Sequence, residues 1–164
     1  MSNVMSRIRE RIIAATVEEL AEVGADIITN ADNTRETESR SRNQHDAYVW
    51  GVFFKGELKK YGFLDRLSKG VHEGWEKHGI ADDTGRGYAE KAIKKYKPQS
   101  KGFVLVAMNA IYYSQILEDG AQGRPKVENS RRYRIGSQIY DEMLKLQSRF
   151  GSNAPIKLTY LDYQ

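Results

Sequence analysis

The sequence predicts an α+β fold, in which a small, mainly antiparallel sheet packs against a long N-terminal helix and one or two further helices. Three observations predict it. Apolar residues recur at helical spacing through residues 2–30, β-branched and aromatic residues surround a Lys-Gly turn at residues 55–56, and an uninterrupted apolar run begins at Phe103. A chain of 164 residues is long enough for one domain with its own core. We assign residues 1–150 to that domain and residues 151–164 to a C-terminal tail or arm.

Residues 2–30 predict one long amphipathic helix with a single buried face. That face would hold Val4, Ile8, Ile12, Val17, Leu20, Val23 and Ile27, with Ile13 and Ile28 widening it. The first half of this helix is basic and the second half acidic, which opposes the helix dipole, so packing must stabilise it. Residues 31–44 contain no aliphatic side chain larger than alanine and predict an exposed polar loop.

A β-hairpin is predicted next. Residues 48–54 and 58–63 form its strands, and Lys55 and Gly56 form its turn. Gly51, inside the first strand, indicates a bulge or a close approach of another backbone. The pattern of residues 64–79 is ambiguous, because apolar residues at helical spacing alternate with Gly70 and Gly74.

The second half of the chain predicts two more helices around a buried strand. Asp82, Asp83 and Thr84 are typical of a helix N-terminus, and the helix would extend to about Tyr96. Its apolar face would contain Tyr88, Ala89, Ala92, Ile93 and Tyr96. Residues 103–108 are so continuously apolar that we expect a strand at the centre of the sheet, covered on both faces.

The segments after this strand predict two further helices, a basic loop between them and a strand-like tail. Residues 111–119 predict a short helix that ends at Gly120, followed by a basic loop at residues 121–134. A last helix is predicted at residues 135–150, with one apolar side formed by Ile135, Ile139, Met143, Leu146 and Phe150. Residues 156–163 have strand-like alternation.

Composition excludes several classes of protein. Cysteine is absent, which removes disulfides, thiol catalysis and thiolate metal sites, and is typical of proteins that fold in a reducing cytoplasm. The formal charge of +4 comes from a mixed surface of 26 basic and 22 acidic residues, so it permits nucleic-acid binding without demanding it. The N-terminus lacks the pattern of a signal peptide, and no apolar run approaches the roughly 18 residues of a membrane span. We therefore expect a soluble protein.

The residue patterns contain no catalytic constellation. His45, His72 and His78 lack metal-ligand spacing, and we expect them at the surface. The acid pairs Asp82/Asp83 and Glu118/Asp119 are suited to general acid–base work or to a divalent cation, but they fit helix ends better. The glycines of the stretch D-D-T-G-R-G fall short of a phosphate-binding loop. No cofactor or metal is expected.

The loop at residues 121–134 is the best candidate for contact with phosphate. It concentrates five basic side chains: Arg124, Lys126, Arg131, Arg132 and Arg134. Loops of this charge are also common as solvated surface, so nucleic-acid contact is the minority interpretation.

Two segments carry a resemblance to a known family. The stretch N-A-I-Y-Y-S-Q-I-L-E-D-G after the apolar strand, and N-Q-H-D-A-Y-V-W-G-V-F-F-K-G-E-L around the hairpin, resemble the head–tail connector proteins of tailed bacteriophages, in the tail-completion (neck, or minor capsid) family. The family motif Y-A-x-x-[VLI]-E-x-G matches at Tyr112 or Tyr113, Ile116 or Leu117, Glu118 and Gly120. Asn43, Asp46 and Ala47 keep the outline of the family's entry motif T-G-N-L-x-D-S-I. The T-G pair of the entry motif is missing before Asn43. In the other motif, Tyr113 or Ser114 stands in place of the alanine, and Ala121 stands in place of the threonine that usually follows the glycine.

The resemblance implies a structural virion protein that joins other proteins and catalyses nothing. Such a subunit would assemble as a homo-oligomeric ring at the neck or tail, and Tyr112, Tyr113, Glu118 and Gly120 would belong to its structural motif or subunit interface. Its partners would be portal, adaptor or tail-tube proteins, with genomic DNA or an acidic neighbour facing the basic loop, and no membrane. It would be located in the virion and assembled in the host cytoplasm. A small basic nucleic-acid-binding module is the alternative, and a metal-dependent enzyme using one of the acid pairs comes third.

Overall fold

The computed structural model of the chain describes residues 2–33, 43–65, 84–110, 135–150 and 155. The elements follow in the order α1 (Ser2–Asn33), α2 (Asn43–Asp46), β1 (Tyr48–Phe54), β2 (Glu57–Phe63), α3 (Thr84–Lys95), β3 (Phe103–Asn109) and α4 (Ile135–Phe150). A three-stranded antiparallel sheet packed with helices confirms the predicted α+β class.

The strand order of the sheet is β2-β1-β3, so β1 is its centre. Every residue of β1 up to Phe53 is buried, whereas every residue of β3 is only half-buried. The apolar run that begins at Phe103 is therefore a strand, as predicted, but it lies at one end of the three described strands. Among these three strands the central one is β1. The apolar run of β3 reflects the helices that cover both of its faces and does not specify how many strands flank it.

Helices cover both faces of the sheet, and β1 alternates between two core clusters. Tyr48, Trp50 and Val52 pack on the side of α1 and α4. Val49 and Phe53 pack on the opposite side, against α3. The sheet is thus the middle layer of three, and this explains why β1 lacks the apolar–polar alternation of a strand with one wet face.

The hairpin forms where the sequence predicts it. Lys55 and Gly56 have positive φ angles of 53° and 80°, as expected for the two central residues of a type I′ turn. A Cβ on Gly51 would lie 2.6 Å from Cδ1 of Ile93, so Gly51 allows α3 to approach the sheet closely. The register between β1 and β2 shifts between Val52 and Phe53, one residue beyond Gly51.

Two helices differ from the sequence prediction, α1 at its end and α3 in its apolar face. α1 continues to Asn33, three residues into the predicted loop, because Ala31 is fully buried and extends the core-facing side of the helix. On α3, Ala89 and Ile93 are fully buried as predicted, whereas Tyr88 is 37% exposed and does not belong to the apolar face.

The last helix, α4, has the predicted bounds, and its Ile139, Met143 and Leu146 pack toward α1 and the sheet. Its Glu142 is only 6% exposed and accepts a hydrogen bond from Nζ of Lys145 at 2.5 Å. Several predictions lie outside the described residues: the ambiguous segment from residue 66 onward, the cap at Asp82 and Asp83, the short helix at residues 111–119 and the strand-like tail at residues 156–163.

Candidate assembly surface

The first half of α1 extends beyond the sheet. A helix of 32 residues is about 48 Å long, whereas strands of seven residues span about 24 Å. The sheet can therefore cover only about half of the helix. We call residues 3–12 the N-terminal arm and residues 13–33 the core half of α1, because Ile13 is half-buried and already packs against the core.

The arm presents large apolar side chains to solvent. The exposed fractions are 61% for Val4, 68% for Met5, 46% for Ile8 and 60% for Ile12. These four residues form a stripe along one side of the helix, since positions 4, 8 and 12 are each about one turn apart. Contiguous exposed apolar groups of this kind mark surfaces that a partner covers.

This stripe does not face the same way as the buried side of the core half. Residues four apart overshoot one helical turn by about 40°, so a series with this spacing winds around the helix. Ile8 and Gly24 are consequently about 160° apart around the axis, and Gly24 is the residue that meets the sheet. The predicted single buried face was wrong for Val4, Ile8 and Ile12.

The core half is fixed on the sheet by the fit of Trp50. A Cβ on Gly24 of α1 would lie 2.9 Å from Cβ of Trp50, and a Cβ on Gly62 of β2 would lie 2.6 Å from the Trp50 indole. The indole therefore occupies space that two glycines leave open. Near the start of the core half, Glu18 pairs with Lys60 of β2.

The charges on α1 divide at the same place as its burial. The arm carries exposed arginines at positions 7, 9 and 11 and one exposed acid, Glu10, to which Ser6 donates a hydrogen bond at 3.3 Å. In residues 17–33 every charged side chain is acidic. The arm is thus an apolar stripe with basic flanks, suited to an acidic, partly apolar surface.

A second surface with a strong charge bias lies on α3 and the segment after it. Residues 84–102 contain six basic residues and one acid, and the exposed lysines are Lys91, Lys94, Lys95, Lys97 and Lys101. Hydrogen bonds from Lys94 and then from the Tyr61 hydroxyl, followed by the charge of Lys94, hold the pKa of Glu90 below its usual value. The hydrogen bond to Glu90 in turn raises the pKa of Lys94.

The described ends of the two segments that carry the family resemblance lie side by side at one end of the sheet. The backbone N–H of Ala110 donates to the carbonyl oxygen of Ala47 at 2.9 Å, and Tyr48 lies opposite Asn109 in the ladder. The chain therefore enters β1 and leaves β3 at the same end of the sheet.

His45 forms a side-chain contact between this end of the sheet and the end of α1. Its Nδ1 lies 2.8 Å from Oδ2 of Asp32, and its side chain is only 20% exposed. The expectation of a surface histidine was wrong for His45, because α2 follows closely on α1 in space, a proximity that the sequence does not reveal. His72 and His78 lie outside the described residues.

All the site residues predicted from the sequence lie outside the described part of the chain: Tyr112, Tyr113, Glu118, Gly120, Arg124, Lys126, Arg131, Arg132 and Arg134. The residues that the structure adds are those of the arm. The sequence contained a usable signal for them, since the helix is too long for strands of seven residues to cover.

The described residues contain no group of three or more His, Asp or Glu side chains that would hold a metal ion. None of the helices in this part of the chain is long and apolar enough to span a membrane.

Comparison with known proteins gives no relative: no family model, curated protein or solved structure matches the chain.

Proposed function

We propose that the chain is a structural subunit of a tailed bacteriophage, a head–tail connector or tail-completion protein that assembles as a ring at the neck or tail of the virion. The observation that carries this proposal is the exposed apolar stripe of the N-terminal arm. Leaving four large apolar side chains in water is unfavourable, so a helix of this kind is expected to be covered when the protein works. A subunit whose task is to join other proteins needs such a surface.

The place where these two segments join the sheet supports the same proposal. The entry segment around Asp46 and the strand that leads to Tyr112 and Tyr113 adjoin through the Ala110–Ala47 hydrogen bond. Motifs that belong to one structural family are expected to lie together in the fold, although they are some sixty residues apart in sequence.

Electron microscopy of the purified chain, alone and mixed with candidate portal, adaptor and tail-tube proteins, tests the proposal. We expect closed rings in at least one of these samples. Ile8→Asp combined with Ile12→Asp should prevent them, because two carboxylates cannot be buried in an apolar contact. Leu144→Asp, at a residue of α4 that is also 41% exposed, is the matched control and should leave the rings intact. A chain that stays monomeric in every mixture would refute the proposal.

Glu118 has a structural part in this proposal. It would hold backbone or a neighbouring subunit through its carboxylate, as the resemblance implies. Glu118→Gln should then abolish assembly while the monomer keeps its circular dichroism spectrum and unfolding midpoint. Unchanged assembly of this variant would remove Glu118 from the interface.

A nucleic-acid-binding module is the second candidate, and the basic surface of α3 favours it. Lys91 and Lys95 are exposed and one turn apart, and Tyr88 beside them is exposed as well. Binding to duplex DNA, followed by fluorescence anisotropy at increasing salt, should weaken for Lys91→Glu combined with Lys95→Glu and for replacement of Arg131 and Arg132. A flat titration of the wild-type chain would dispose of this candidate.

A further inference from the structure

The exposed part of α1 carries both halves of a complementary charge pattern. Three arginines flank the apolar stripe of the arm, and the core half carries exposed acids at Glu18, Glu19, Glu22 and Asp26. Neither end of the helix has the charges that its dipole favours, because the first turn has no acid and the last turn has no base. The distribution therefore does not serve the stability of the isolated helix.

Arg7 and Arg11 lie on the same side of the helix as Glu18 and Glu22, whereas Arg9 lies on the opposite side. Eleven residues make close to three full turns of an α-helix, so residues eleven apart point in nearly the same direction. Arg7 is followed after eleven residues by Glu18, and Arg11 by Glu22. When two parallel α1 helices turn this side toward each other, a displacement of three turns therefore brings opposite charges together.

The same displacement matches apolar side chains. It brings Val4 to the level of Ala15, which is exposed, and Ile12 to the level of Val23, which is half-buried. Contact along this line would cover part of the stripe as well as pair the charges, and both contributions are needed because exposed ion pairs alone are weak.

We propose that the N-terminal arm of one copy of the chain docks on the acidic core half of α1 in a second copy. This inference rests on the proposed function, since it names the contact through which the subunits assemble. Because the displaced helices run parallel, the arm of each copy meets the core half of the next, so the contact is heterologous and adds one subunit after another until a ring closes or a filament grows.

A second copy explains both charge blocks, whereas other occupants explain only one. An acidic protein or an anionic membrane would suit the apolar and basic arm, but it would leave the acidic side of the core half without a role. These occupants predict different results for the variants below.

Charge exchange across the contact tests the inference. One variant combines Arg7→Glu with Arg11→Glu, and the other combines Glu19→Arg with Glu22→Arg. Glu18 is left unchanged because it already pairs with Lys60. Sedimentation velocity of the full chain over a range of concentrations should show self-association of the wild type, weakened about tenfold or more in either variant, because each brings like charges together. Mixing the two variants should restore association, since the unchanged arm of the core-half variant then meets the unchanged core half of the arm variant.

A matched control separates the contact from net charge. Lys91→Glu combined with Lys95→Glu makes the same change of charge on α3 as the arm variant makes on α1, and it should leave self-association unchanged. Association of the wild type should also weaken as salt is added. All variants should keep the circular dichroism spectrum of the wild type.

Three results would overturn the inference: a wild-type chain that stays monomeric at all concentrations, variants that associate normally, or variants that fail to recover on mixing. Cosedimentation with vesicles of phosphatidylserine and phosphatidylcholine that is lost in the arm variant, while self-association is unaffected, would identify a membrane as the occupant and would also overturn the inference.

Failure of the proposed function gives different results. Rings that persist in the charge variants refute the inference alone, whereas charge-dependent association that produces no rings, alone or with neck proteins, refutes the connector function alone.

Discussion

The two halves of α1 have similar apolar content, but they differ in what surrounds them. In the core half, Ile27 and Ile28 are at most 1% exposed, whereas Ile8 and Ile12 in the arm are 46% and 60% exposed. The difference arises from the sheet, whose strands reach along only about half of the helix. A periodic apolar pattern thus shows that a helix has a surface to bury, and the length of the rest of the fold decides whether that surface is buried within the chain or by a partner.

The largest expected difference between the two halves is in the free energy of unfolding when one isoleucine in each is replaced by alanine. Ile28→Ala should lower the free energy of unfolding by about 2–5 kcal/mol, because it removes fully buried methyl groups and leaves a cavity. Ile12→Ala should change it by no more than about 0.5 kcal/mol. Urea unfolding at low protein concentration, where association contributes least, measures both. Equal losses would mean that the arm is packed within the monomer.

A glycine pair tests how closely the core half lies on the sheet. Gly24→Ala should cost about 1–3 kcal/mol, because the new methyl group would overlap Trp50 and Leu105 at 2.9–3.1 Å. Gly87→Ala on α3 is the control, since a Cβ there meets nothing within 4 Å. It should stabilise the protein by up to about 1 kcal/mol through its better helix propensity. Thermal unfolding that ranks the two variants in the opposite order would contradict the close packing of α1.

Sequence reasoning succeeded where the determinants are local. The hairpin at residues 48–63 was predicted with its turn, because Lys55-Gly56 and the flanking β-branched and aromatic residues are neighbours in the chain. The bounds of α4 followed from its own periodicity.

Prediction from the sequence failed where the burial of a residue depends on segments that are distant in the chain. Nothing near Phe103 reveals that β1 is the central strand of the three described, and nothing near His45 reveals Asp32 at 2.8 Å. The exposure of the arm depends on the length of strands that begin about forty residues later. The predicted site residues between Tyr112 and Arg134 remain predictions, since they lie outside the described residues.

A smaller effect compares side-chain pairs at the two ends of α1. His45 and Asp32, half-buried at the end of the core half, should show a coupling energy of about 0.5–1.5 kcal/mol in a double-mutant cycle of alanine variants. Ser6 and Glu10 are exposed on the arm, with 3.3 Å between Oγ of Ser6 and Oε1 of Glu10. Their coupling energy should be at most about 0.3 kcal/mol. Similar coupling in the two cycles would show that the arm holds its side chains as firmly as the core half does.

The smallest expected effect is electrostatic and lies on α3, which covers the opposite face of the sheet from α1. The pKa of Glu90 is lowered from its usual 4.5 by hydrogen bonds from Lys94 and then Tyr61, and by the charge of Lys94. A carboxyl group whose pKa is lower in the folded state contributes stability that is present above its unfolded pKa and is lost as the pH falls through the folded pKa. Lys94, whose pKa is raised, contributes stability that is present below its usual 10.5 and is lost as the pH rises through the folded pKa.

The advantage of the wild type over Glu90→Gln in urea unfolding should therefore be constant near neutral pH and shrink as the pH falls below about 4.5. In a Lys94→Met background the same comparison should lose most of its pH dependence, because the largest cause of the shift is gone. Because both partners are exposed to solvent, added salt should reduce the advantage further, and this distinguishes it from the salt-insensitive packing that holds the core half of α1.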